Sequence, residues 1–230
     1  DDVVAHGNLL FVLNYHPDKT GEQVHAEYQA YERRFFAPLR SRWRPHANAP
    51  LAGRDGRARR LKVGYVSPDF RQHSVTNFLE PLLAHHDHGA VEVYAYAELQ
   101  REDAATTRYK RLVDHWIPTA GMGDEALAER IRADGIDILV DLAGHTGGNR
   151  LAVFAMKPAP VALSWMGYGT TTGLTAIDWF LTDARHTPPG CEHLLSEAPW
   201  RLPNAFVYRP AAAAAMGEPG PLPALRNGHV

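Results

Sequence analysis

Four polar segments of this chain carry residues able to do chemistry, and each follows an apolar run. Behind "LKVGYVS" come Pro68, Asp69, Phe70, Arg71, Gln72 and His73. Behind "IDILV" come Asp141, Gly144, His145, Thr146, Gly147 and Gly148. Behind "VALSW" comes "GYGTTTG", residues 167–173, with Gly167 and Tyr168 at its head, and behind "DWFL" come Thr182 and Asp183. An imidazole titrates near neutral pH, so His73 suits general-base work; capping the helix that follows is its other reading. Asp141 suits either proton transfer or the acceptance of loop amides. His145 and Thr146, followed by two glycines and a helix, put a polar pair beside free amides, which suits a phosphate or a sugar hydroxyl. The same glycines also serve simply to make a turn.

Those segments need a scaffold that brings them together. From Leu61 onward the pattern alternates between apolar runs and amphipathic stretches: "LKVGYVS", then "VTNFLEPLLAHH"; "VEVYAYA", then "DAATTRYKRLV"; "HWIPT", then "DEALAERIRADG" closed by Gly135. "IDILVDLAG", "NRLAVFAMK" stopped by Pro158, "VALSWMG" and "DWFLTD" continue the series. This spacing predicts an α/β, Rossmann-like fold, a mostly parallel sheet with helices on both faces. The strands near 61–67, 136–142 and 161–165 are almost wholly apolar, as strands covered on both faces must be. In such a sheet ligands bind beyond the carboxyl ends of the strands, so the four polar segments converge on one edge.

Ahead of the sheet, residues 1–43 read as a helical segment. "HGNLLFVLNYHPD" sets Leu9, Leu10 and Leu13 on one face and stops at Pro17. Thr20 and Gln23 form a capping box for a second helix, with a stripe of Val24, Tyr28, Tyr31, Phe35 and Leu39. The expectation is a helical hairpin packed on the main domain. Residues 44–60 read as a linker, with Arg54, Arg57, Arg59 and Arg60 on a solvated loop. The lobe would then run over 61–208. Residues 209–230, rich in alanine, proline and glycine, read as an exposed linker toward a further domain, with a strand beginning at "ALRNGHV". The chain reads as a fragment of a longer polypeptide.

Composition narrows the function. An apolar share of 45% supports a packed core, and a net charge of −2 gives no basic footprint for nucleic acid. The single cysteine, Cys191, rules out an internal disulfide and fits a reducing, cytoplasmic setting. No apolar run is long enough to span a membrane. "GYGTTTG" follows the wrong strand, with the wrong spacing, for a dinucleotide fingerprint, and neither a GK[ST] loop nor a GxSxG elbow occurs. No Asp-x-Asp pair is present to hold a metal-bound sugar nucleotide. "HHDH", residues 85–88, reads as a solvated helix terminus rather than a metal site.

Three stretches together, "LKVGYVSPDFRQHSV", "GIDILVDLAGHTGGNRLAVFAMKPAPVALSWMGYGTTTGLTAIDWFLTD" and "HGNLLFVLNYHPD", resemble the O-linked N-acetylglucosamine transferase family (glycosyltransferase family 41). That family includes bacterial homologues and plant Spindly-type fucosyltransferases, and the likeness is nearest to a bacterial member. The resemblance implies a two-lobed GT-B enzyme preceded by tetratricopeptide helices, with this chain holding the last of those helices and the N-terminal catalytic lobe. It implies an inverting transfer from a nucleotide sugar, UDP-GlcNAc or GDP-fucose, onto serine or threonine hydroxyls of proteins, without a metal or other cofactor. A non-catalytic binding module of the same fold is the rival reading. His73 matches the family's proposed general base, and Asp141, His145 and Thr146 match a polar turn facing donor phosphates and acceptor hydroxyl. Gly144, Gly167 and Tyr168 are expected beside them. Most nucleotide contacts and the family's catalytic lysine belong to the second lobe, so this stretch alone is expected to be inactive. Two departures bear on acceptor preference: Asn77 stands where animal members often carry a second histidine, and Gly169 stands where they have proline.

Overall fold

A computed structural model describes residues 2–52, 58–206 and 220–229. The order of elements is α1 (Val3–Leu13), α2 (Gly21–Phe35), a 3-10 turn (Ala37–Arg42), β1 (Leu61–Ser67), α3 (Thr76–Ala84), β2 (Val91–Ala97), α4 (Ala104–Tyr109), β3 (His115–Pro118) and α5 (Asp124–Asp134). There follow β4 (Ile138–Asp141), α6 (Leu151–Ala155), β5 (Val161–Trp165), β6 (Trp179–Asp183), a 3-10 turn (Glu192–Leu194), β7 (Ala198–Leu202) and α7 (Pro223–Asn227).

The strands form a seven-stranded sheet in the order β3-β2-β1-β4-β5-β6-β7, and every pairing is parallel. The chain builds outward from β1 in one direction and then crosses back to β4. The β1–β4 junction is therefore the topological switch point, where an open parallel sheet leaves a crevice beyond its strand ends.

Alternation along β1 assigns the two faces. Val63 and Tyr65 belong to one apolar cluster with Phe70, Leu79 and Leu83 on the α3 side. Val66 belongs to the other, with Leu127 and Ile131 of α5 and Phe154 of α6. Gly64 points to that second side, and a Cβ there would stand 2.9 Å from the Tyr96 ring, so a bare α-carbon is what lets the rings of β2 lie flat on the sheet. Helices do cover both faces.

The second cluster also contains Leu10 of α1 and Tyr28 and Tyr31 of α2. The helical hairpin thus shares a core with the lobe. The expected capping box at Thr20 and Gln23 is present, and Gly135 ends α5 in the left-handed region. Leu9 departs from expectation: it is 50% exposed while Leu10 is fully buried. Adjacent helical residues sit about 100° apart, so both cannot face the core. The helix also ends before Pro17, because the Asn14 side chain donates to the Leu10 carbonyl at 3.0 Å and closes the last turn.

The stretch read as a free linker is pinned where it is described. Arg59 donates to both oxygens of Asp137, at 2.6 and 2.7 Å, and Asn48 donates to Asp137 at 2.9 Å. Arg60 pairs with Asp114 at 3.2 Å. The partners lie far along the chain, so composition alone read these arginines as solvated; Arg54 and Arg57 lie outside the described residues. The strand β7 went unread because "APWRL" holds a proline, which an edge strand tolerates and a central one does not. At the far end, residues 223–227 are a short helix closed by Gly228, not the start of a strand, and residues 209–219 of the expected linker lie outside the described residues. No helix of the described residues is long and apolar enough to cross a membrane.

Candidate functional site at the strand ends

The elbow after β1 carries His73 and is fixed at several points. The Asp69 amide donates to Ser67 Oγ at 2.9 Å, and Thr106 Oγ donates to the Phe70 carbonyl at 2.8 Å. The Gln72 amide donates to Asp103 Oδ2 at 2.7 Å, and Thr76 Oγ to the Arg71 carbonyl at 2.9 Å. On this rigid elbow the His73 ring is 38% exposed, with Nδ1 3.7 Å from Asp69 Oδ2. It is a half-open imidazole on an ordered support, the geometry a proton acceptor needs.

The elbow after β4 is built around Asp141. Its carboxylate accepts from the Ala143 amide at 3.1 Å, the Gly144 amide at 3.0 Å and Ser164 Oγ at 2.8 Å. The residue is 1% exposed. Burial pushes its carboxyl above the usual range, opposed by the Ser164 hydroxyl and the two amides. Of the two readings of Asp141, acceptor of loop amides and proton-transfer group, the geometry realises the first. His73, unlike Asp141, is open to the surface.

His145 packs inward against the helical hairpin, at the wall of a cavity of about 240 Å³ that Asn8, Asp124, Thr146 and Arg150 also line. It is 3% exposed and lies beneath the rings of Tyr28, Tyr31 and Tyr168, at centroid distances of 5.2, 5.3 and 5.4 Å. Its Nε2 donates to the Thr172 carbonyl at 2.8 Å, which makes Nδ1 the bare acceptor, and Nδ1 has no partner. Burial lowers its pKa to about 4, so the ring is neutral at physiological pH. In this structure His145 forms the joint between the helical segment and the lobe. Tyr168 completes that joint. Its hydroxyl meets Tyr28 Oη at 2.5 Å, and Asn14 Nδ2 donates to both oxygens, at 2.7 and 2.8 Å.

Thr146 turns outward. Its hydroxyl donates to the Ala143 carbonyl at 2.8 Å. With Phe11, Tyr15, Gly167, Tyr168 and Gly169 it borders an open cavity of about 410 Å³ between α1 and the elbows after β4 and β5. The glycines let the elbows touch. A Cβ on Gly167 would stand 1.7 Å from the Leu142 carbonyl oxygen, and one on Gly144, at φ +52°, would stand 2.2 Å from Tyr168 Cβ. A Cβ on Gly148 would reach within 3.0 Å of Pro68. The segments after β1, β4 and β5 thus meet at one edge, as their places in the alternation require.

Glu197 was not foreseen. It precedes β7, is 3% exposed, and accepts from Thr171 Oγ at 2.6 Å, from the Thr172 amide at 2.8 Å and from the Thr172 hydroxyl. Burial pushes its carboxyl upward. It anchors the "GYGTTTG" segment from below. Nothing local distinguishes its sequence context; the three consecutive threonines were the available signal, since buried hydroxyls require an acceptor. Elsewhere, the histidines of 85–88 are engaged one by one: His86 with Tyr65 Oη at 2.8 Å, His88 with Asp114 at 3.0 Å, His85 with the Pro81 carbonyl at 2.7 Å.

Comparison with known proteins follows the same lines. Residues 46–209 match the model of glycosyl transferase family 41. A probable UDP-N-acetylglucosamine–peptide N-acetylglucosaminyltransferase SPINDLY of Solanum lycopersicum is 37% identical over 230 residues, covering 97% of this chain and 24% of the relative. A UDP-N-acetylglucosamine–peptide N-acetylglucosaminyltransferase of Caenorhabditis elegans is 35% identical, over 64% of this chain and 13% of its own length. The solved structure of a mutant O-GlcNAc transferase from Thermobaculum terrenum superposes with a TM-score of 0.80 at 38% identity, over 88% of this chain and 38% of that one. The chain spans about a quarter of the length of SPINDLY relatives such as the tomato protein. With its seven parallel strands and the crevice at β1 and β4, the chain belongs to glycosyl transferase family 41.

Proposed function

We propose that this chain is the N-terminal catalytic lobe of an inverting GT-B glycosyltransferase that moves N-acetylglucosamine from UDP-GlcNAc onto serine or threonine hydroxyls of proteins. The observation that carries the reading is the family match over residues 46–209, the part of the chain that holds the switch-point crevice and His73. The acceptor hydroxyl attacks the anomeric carbon in line, on the face opposite the leaving diphosphate. His73 takes the hydroxyl proton. Asp141 and Glu197 keep the two neighbouring elbows in shape, and holding both substrates in register supplies much of the acceleration. Charge on the leaving diphosphate is met by amides and cations of a second lobe. The protein acts in the cytoplasm, with a protein or peptide acceptor, a second catalytic lobe and tetratricopeptide helices as its partners.

No metal enters this scheme. The test uses the full-length protein. Calorimetry with UDP, UDP-GlcNAc and GDP-fucose is expected to give binding of the first two and none of the third. Transfer to a peptide is expected to keep its rate in excess EDTA. Selective binding of GDP-fucose would reassign the sugar, and loss of turnover in EDTA restored by Mg²⁺ would reassign the chemistry.

A further inference from the structure

Asp69 lies four residues before His73 on the elbow after β1 and is 6% exposed. Its Oδ1 accepts from Arg71 Nη2 at 3.3 Å, and its Oδ2 stands 3.7 Å from His73 Nδ1. The other neighbour of Nδ1 is the Val75 amide, which donates to it at 3.4 Å. These two neighbours demand opposite tautomers. An amide N–H only donates, so a pairing with Val75 keeps Nδ1 bare and places the ring proton on Nε2. A carboxylate only accepts, so a pairing with Asp69 places the proton on Nδ1 and leaves the lone pair on Nε2.

Magnitudes favour the carboxylate. A contact of 3.4 Å is a weak hydrogen bond, whereas a charge-assisted one is about twice as strong as a neutral one. Closing 3.7 Å to bonding distance needs only a small rotation of a ring that is 38% exposed. The backbone that carries the carboxylate is fixed by the Asp69 amide on Ser67 Oγ, and the carboxylate itself is buried with Oδ1 on Arg71. Arg71, 49% exposed, leaves Oδ2 free for the ring.

We propose that Asp69 is a positioning residue: it holds His73 in the Nδ1–H tautomer and so leaves Nε2 as the proton acceptor. The inference rests on the transferase reading for its kinetic consequences only. In the step it serves, the acceptor hydroxyl gives its proton to Nε2 and its oxygen pair forms the bond to the anomeric carbon. The bond from that carbon to the diphosphate oxygen breaks, and its electron pair leaves with the diphosphate. The imidazolium formed faces the Asp69 carboxylate, with Arg71 on the other oxygen of the same group and Asp103 beneath the elbow as the nearby charges.

The test is Asp69→Asn in the full-length protein, alone and combined with His73→Ala. Asparagine keeps the shape and removes the charge that selects the tautomer. The single variant is expected to lose about 10-fold in kcat, less than the roughly 100-fold or more of a lost general base, with donor KM changed by less than about twofold. In the His73→Ala background it is expected to change the residual rate by less than about twofold, because it acts through the ring. Equal losses in both backgrounds, or no loss in the first, would overturn the proposal. A second readout does not depend on turnover. Nitrogen-15 chemical shifts of His73 are expected to report Nδ1–H in the parent and a shift toward Nε2–H in Asp69→Asn. If the parent already carries Nε2–H, the proposal is wrong even where transfer is normal. If the parent transfers nothing, the transferase reading fails while the tautomer measurement still decides the role of Asp69.

Discussion

Replacing His73 with alanine in the full-length protein is expected to lower kcat for peptide glycosylation by about 100-fold or more, the usual range for a lost general base. Donor affinity should stay within about threefold of the parent, since proton transfer belongs to the transition state and not to ground-state binding. The expectation comes from contrast within the site. Asp141 is 1% exposed with both oxygens engaged, and His145 is buried beneath three tyrosine rings. His73 is left as the candidate with an open ring on a fixed support. Steady-state kinetics beside calorimetric donor binding separate the two quantities. A parallel fall in donor affinity would make His73 a binding residue, and unimpaired turnover would remove it from the chemistry.

The second large effect concerns the support rather than the chemistry. Gly167→Ala places a methyl 1.7 Å from the Leu142 carbonyl oxygen and 2.2 Å from its carbon. Both are backbone atoms, so no side chain can swing away. The elbows after β4 and β5 must separate, which breaks the setting of Gly144 against Tyr168 as well. Overpacking of this kind costs about 3 kcal/mol or more, at the upper end of measured values. Gly169→Ala is the control, two residues on in the same loop. A Cβ there meets nothing within 4 Å, and the expected cost is below about 0.5 kcal/mol. Chemical denaturation of the full-length variants measures both. Equal stabilities would mean that the two elbows do not press together as described.

Much of the architecture was legible because it follows from period and placement. Apolar runs of "LKVGYVS" and "IDILV" type, separated by amphipathic helices, require a parallel sheet, and a parallel sheet brings its strand ends to one edge. The segments bearing His73, Asp141, Thr146 and Gly167 are therefore placed without any long-range information. It did not resolve which way each side chain turns. Asp141 and His145 sit in polar, glycine-rich turns that read like ligand loops, yet one satisfies amides of its own turn and the other fills a joint made by α1 and α2. The deciding partners, Ser164, Thr172, Tyr28 and Tyr31, are between 23 and 117 residues away in sequence for these two groups. Glu197 is missed, and Arg59 is read as solvated, for the same reason: a buried ion or acceptor announces itself only through its partner. The strand β7 was missed because Pro199 argues against a strand anywhere but at an edge, and edge position is a property of the whole sheet.

If His73 is the proton acceptor, sugar transfer takes place at the β1–β4 switch point. A co-crystal structure of the full-length protein with UDP-GlcNAc and an acceptor peptide tests this most directly. The acceptor hydroxyl is expected within about 3 Å of His73 Nε2, or one water away, with the sugar lying over the elbows that carry Thr146 and Gly167. A donor sugar bound at the opposite edge of the sheet, or an acceptor hydroxyl with no path to His73, would contradict it.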